Sequence, residues 1–142
     1  MSHDPTHTQP CAWRVRFDAL ISDRMSQPFA WGAQDCCLFA ADCAVIVSGA
    51  DPAAGLRGTY SDAAGALRTL QRIGGIEGAG CRFGAPIRPL MACTGDVGLV
   101  PCGGRDALAV CVGLVWLAPA AAGLAALPLD SARLAWRVAC PL

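Results

Sequence analysis

Between residues 12 and 25 the chain reads AWRVRFDALISDRM, which sets Trp13, Phe17, Leu20 and Ile21 at helical spacing with charges on the other side. That pattern predicts an amphipathic helix, ending before Pro28 because a residue preceding proline is pushed out of helical geometry. A second apolar run starts at Cys36, with Phe39, Ala40, Cys43 and Val47 following on one face, Asp35 in the N-cap place and Gly49 as the stop. Asp42 is the only charge between Cys36 and Ala50, so this helix is expected to be buried nearly all round. SDAAGALRTLQRI then predicts a third helix, capped by Ser61, turning Ala64, Leu67, Leu70 and Ile73 to the core and halted by Gly74 and Gly75.

Past a glycine-rich connection, GGIEGAGCRFGAPIRPL, the pattern changes to short apolar runs separated by turn residues: GDVGLV from residue 95, ALAVCVGLVW from 107, GLAALPL from 123 and ARLAWRVA from 132. Helices first and strands afterwards predict an α+β fold, with three N-terminal helices packed on one side of a C-terminal antiparallel sheet. Residues 107 to 129 carry no charge and are long enough to cross a bilayer. Pro119, Pro128, two glycines and a β-branched first half instead predict two core strands joined by the turn APAAAG, and no basic cluster flanks the segment. No membrane span is expected. Residues 1 to 10, polar and holding two prolines, read as a disordered leader, and residues 11 to 142 as a single domain.

Charge narrows the function classes. Eleven basic and eleven acidic side chains cancel, with no Lys/Arg cluster of the kind that tracks a phosphate backbone, so nucleic acid is not an expected partner. Only 15% of residues are charged against 54% hydrophobic, which suits a subunit of an assembly better than a freely diffusing monomer. The nine cysteines are an odd number without a CxxC pair, and the only histidines, His3 and His7, fall in the leader. Close-spaced metal ligands are therefore missing, no metal or cofactor is expected, and the absence of a secretory signal pattern at the start predicts reduced thiols.

The stretch FAWGAQDCCLFAADC, residues 29 to 43, carries the candidate chemistry. An Asp-Cys pair at a helix start places the thiol of Cys36 among unpaired backbone N–H groups, which stabilise a thiolate. Asp35 reads as a helix cap or a catalytic acid, and Cys36 as a nucleophile position or a small core residue. Cys37 and Cys43 read as core. Trp31 and Trp136 read as core or interface anchors, with a ligand stack as the other reading.

With its WG turn, the DC helix, the later GDV strand and the CVG strand, the sequence resembles the NlpC-type, papain-like cysteine peptidases that cleave peptidoglycan peptides. With its WR helix, its Tyr60 ahead of the third helix and its terminal AWRV, it resembles more closely a family of small phage tail proteins encoded near tail-tip genes. The resemblance implies a papain-like fold, with Cys36 at the nucleophile position, the substrate-side turn at Trp31 and Gly32, and Cys111 where the family carries its histidine. It also implies that Cys36 lies in a helix packed on the strand of Cys111, the two sulfurs on one side. A cysteine cannot both take the thiol proton and return it to a leaving amine. The expected function is thus a structural tail-tip component, assembled in the host cytoplasm, present in the virion and contacting other tail-tip and hub proteins. The alternatives are an active cysteine peptidase acting on peptidoglycan during DNA delivery, and a host protein unrelated to phage.

Overall fold

The computed structural model describes residues 12–140, so the leader expected at residues 1 to 10 lies outside the described residues. Four helices come first: α1 (Trp13–Arg24), α2 (Cys36–Ser48), α3 (Ala63–Arg72) and α4 (Gly75–Cys81). Six strands follow, β1 (Ala85–Ile87), β2 (Val97–Cys102), β3 (Arg105–Cys111), β4 (Val115–Ala120), β5 (Gly123–Pro128) and β6 (Leu134–Arg137). They form one antiparallel sheet in the order β1-β6-β2-β3-β4-β5, which makes the fold α+β as expected.

Helix α2 forms where the sequence places it, because both of its ends are specified. The Asp35 carboxylate accepts from the Leu38 N–H at 2.9 Å, and Gly49 closes the helix in the left-handed conformation that an L side chain resists. Its Phe39, Cys43 and Val47 meet Phe17 of α1 and Leu99, Leu108 and Val110 of the sheet in the main core. Asp42, the lone charge of α2, joins Arg24 of α1 at 2.8 Å and Arg57 of the following loop at 2.8 Å. The opposite face of the sheet is closed by a second cluster around Trp116, with Val100, Ala109, Cys111, Ala118 and Ala135.

Four elements differ from the pattern-based expectation. The N-cap of α3 is Asp62, which accepts from the Gly65 N–H, rather than Ser61. The apolar stripe of α3 is divided: Leu70 and Ile73 pack against the main core as expected, whereas Ala64 and Leu67 are exposed, Leu67 at 58%, and Gly65, Ala66 and Thr69 are buried. Helix α4 and strand β1 occupy the connection expected to be irregular. Glycine is a poor helix former, but here it serves packing, since a Cβ on Gly80 would collide with the Trp136 indole. The run 107 to 129 forms parts of three strands, not two, because Gly113, with φ of 110°, turns the chain between β3 and β4. Among the described residues no helix is long and apolar enough to cross a membrane.

Candidate functional site

Asp35 organises the site from below. It is 2% exposed, and its carboxylate takes three donors: the Leu38 N–H, the Gly32 N–H at 2.9 Å and the Tyr60 hydroxyl at 2.7 Å. Those bonds tie the WG turn, the start of α2 and the loop before α3 into one unit. Gly32 is required in the turn, because its φ is 78° and a Cβ would stand 2.5 Å from the Tyr60 carbonyl oxygen. The helix-cap reading of Asp35 is the one these hydrogen bonds carry, and the carboxylate also lines the cleft. Burial, and then the Asp35 carboxylate, push the Tyr60 hydroxyl above its ordinary range, so it stays a neutral donor.

Cys36 stands in the first turn of α2, half-buried, and fronts a cleft of about 760 Å³. The walls come from Phe29 and Trp31, from Leu67, Leu70 and Ile73 of α3, and from the β2–β3 hairpin around Arg105. The sulfurs of Cys36 and Cys37 are 4.0 Å apart. The Cys37 thiol, donating to Cys36, holds the Cys36 pKa below the ordinary cysteine value, helped by the Leu108 backbone and opposed by burial and the Asp35 charge. Cys37 moves the other way, well up, because it keeps the shared proton and is desolvated. Cys43 is a core residue whose thiol is raised by burial.

Trp31 lines the cleft, edge-on to Phe29 with ring centroids 4.7 Å apart, and carries the Arg105 guanidinium over its face at 5.3 Å. Trp136 is a core anchor, seated on Gly80.

The placement of Cys111 departs from the expectation. Helix α2 does pack on β3, but Leu108 and Val110 take the helix side of that strand, so Ala109 and Cys111 point into the Trp116 cluster on the other face. Cys111 is 0% exposed, its sulfur accepts from the Gly113 N–H at 3.4 Å, and burial raises its pKa. It does not share the cleft with Cys36. The part of β3 that borders the cleft is Arg105 to Ala107, at the opposite end of the strand.

Arg105 and the stripe of α3 are the site residues that the sequence reading missed. The apolar stripe was legible as a helix face, and the Gly103-Gly104 pair, with φ values of 63° and 84°, marks the tight turn that lifts Arg105 to the cleft. Among the described residues no group of three or more His, Cys, Asp or Glu side chains could hold a metal ion.

Compared with known proteins, the sequence matches the profile of a family described as a domain of unknown function, DUF6950, over residues 9–138. The chain belongs to that family. No curated protein and no solved structure matches it.

The thiol assignment has a direct check. A lowered pKa keeps Cys36 as thiolate at pH values where a free cysteine is already protonated, so alkylation should persist as pH falls. Iodoacetamide labelling of the native protein, mapped by peptide, is expected to give Cys36 a titration midpoint below that of the same residue in the denatured chain. Cys43 should remain unlabelled until the protein unfolds. A native midpoint for Cys36 at or above the denatured one would remove the thiolate.

Proposed function

We propose that this DUF6950 chain is a structural component of a phage tail tip, built on a papain-like domain of the NlpC type that no longer cleaves peptides. One observation carries the reading: a thiol at the head of a helix fronts a large cleft in which, among the described residues, no histidine stands to serve as its base. Asp35 is engaged by three donors, Asp106 is paired with Arg133 at 2.8 Å, and Cys111 faces away. Thiolate attack on an amide stalls unless the leaving nitrogen receives a proton. The thiol helix packed on an antiparallel sheet supports the papain-like layout, as does Asp96 of the GDV motif, whereas Cys111 on the opposite face of the sheet counts against it, because the peptidase base position does not carry over to that residue. That buried carboxylate accepts from the Val138 N–H at 2.9 Å and pins the end of β6. Apolar side chains left at the surface, including Val15, Leu90, Met91 and Leu114, support a subunit with neighbours.

The lowered pKa of Cys36 favours the second reading, an active cysteine peptidase on peptidoglycan. That reading needs His3 or His7 brought into the cleft as the base. Mass spectrometry of purified virions tests the structural assignment. The chain is expected in the particle at a low, fixed ratio to the other tail-tip proteins; its absence from particles, with abundance in the infected cell, would overturn the proposal.

A further inference from the structure

Three features of the cleft are unused by a purely structural part. Leu67, Leu70 and Ile73 of α3 form an apolar wall of the cleft; Leu67 is exposed there, while Leu70 and Ile73 also pack against the core. Arg105 stands at the same cleft with its guanidinium held on Trp31. Cys36 opens onto both. A volume of about 760 Å³ falls within the range of small-molecule sites, ~300–1,000 Å³. Of the other charged residues on the lining, Arg82 is held by the Pro52 and Ala54 carbonyls and Asp106 by Arg133; Arg105 set against the apolar walls matches an amphipathic anion: a long hydrocarbon chain with a charged head.

We infer that Cys36 is an acyl acceptor, and that the cleft seats the chain of a long-chain acyl thioester whose acyl group passes to the Cys36 sulfur. The inference rests on the reading above in one respect, the lack of a proton donor at Cys36. That lack, fatal for an amide, is harmless for a thioester. The Cys36 thiolate attacks the thioester carbonyl carbon, a new sulfur–carbon bond forms, and the donor's carbon–sulfur bond breaks. The electron pair of the broken bond leaves on the donor sulfur as a thiolate, which needs no proton. Hydrolysis of the product would need a base to activate water, so the acyl group persists on Cys36 with its chain against Leu67 and Leu70.

The experiment uses the purified full chain with palmitoyl-CoA and acetyl-CoA as probes, read by intact mass and peptide mapping. The expected result is one palmitoyl group per chain, on Cys36, released by neutral hydroxylamine. Transfer from palmitoyl-CoA should be about tenfold or more faster than from acetyl-CoA, because only the long chain gains from the apolar wall. Leu67→Glu should remove that preference, and Arg105→Gln should slow the palmitoyl reaction while leaving the iodoacetamide rate of Cys36 unchanged. Cys36→Ala, shown to be folded by its melting curve, should take up nothing at this site. The exposed Cys81 and Cys93 serve as internal controls. Palmitoylation of those two with Cys36 unmodified, no palmitoylation at all, or equal rates for the two probes would overturn the inference. A parallel arm with a cell-wall peptide amide separates the two readings. Cleavage of the amide sinks the loss-of-peptidase proposal, whereas failure of acyl transfer without amide cleavage sinks only the acyl-acceptor inference.

Discussion

Asp35→Ala is expected to lower the melting temperature by roughly 10–15 °C, the largest loss of stability from any single change at the site. The carboxylate is buried and takes the Leu38 N–H, the Gly32 N–H and the Tyr60 hydroxyl. The buried Leu38 N–H left without an acceptor costs about 1–3 kcal/mol, and the part-buried Gly32 N–H and Tyr60 hydroxyl, which water can reach, cost less each, for a sum of about 3 kcal/mol. Loss of the N-cap is part of that figure, because the Leu38 bond is what satisfies the first turn of α2. Two companions separate the contributions. Tyr60→Phe removes one donor together with its acceptor contact and should cost about 1 kcal/mol. Asp35→Asn keeps one acceptor oxygen for Leu38 and should fall between the two. A chemical denaturation series measures all three. If Asp35→Ala stayed within about 1 kcal/mol of the parent, the three bonds would not be holding the WG turn to the helix.

Much of this architecture is legible in the chain, and the illegible parts share one cause. Helix α2 announces itself because an apolar face, the Asp35 cap and the Gly49 stop agree, and α1 through its apolar spacing and the Pro28 that follows it, so local preference and tertiary packing point the same way. Helix α4 does not, because its glycines are unfavourable locally and are explained only by Trp136, which arrives from the far end of the chain. The break at Gly113 is hidden inside an uninterrupted apolar run. That same run conceals which way Cys111 points. In a strand with one wet face, alternation of polar and apolar residues reveals parity, but Ala107 to Cys111 are apolar throughout and buried on both faces. Only the contacts of Leu108 and Val110 with the helices fix the parity and send Cys111 away from Cys36. The stripe of α3 was legible only in part for a related reason, since Leu70 and Ile73 pack on the core but Leu67 borders the cleft. Periodicity identifies a face that avoids water, and a ligand cleft satisfies that demand as well as a core does.

Infection provides the all-or-none test of the functional reading. In a phage carrying this gene, Cys36→Ala is expected to leave plaque formation near normal, whereas deletion of the whole gene is expected to stop tail assembly. The two outcomes differ because they remove different things. Truncating Cys36 removes a thiol at the cleft, and with it the acyl acceptor, but leaves untouched the exposed apolar residues Val15, Leu90, Met91 and Leu114. Deletion removes those contact surfaces from a chain whose mean hydropathy of +0.43 and low charge fit it for an assembly. Peptide hydrolysis would reverse the ranking. General acid-base help contributes about 10²- to 10⁴-fold to such a reaction, and among the described residues no histidine stands near Cys36 to supply it, so a thiolate there is expected to alkylate readily yet release no amine. Electron microscopy of lysates and adsorption assays read the two arms separately: tails absent in the deletion, tails complete and infectious in Cys36→Ala. Complete Cys36→Ala particles that adsorb normally but fail to deliver DNA would mean that the thiol performs chemistry on the cell wall. The histidine of the leader would then have to be sought in the cleft, since a peptidase needs its proton donor within hydrogen-bond reach of the leaving nitrogen.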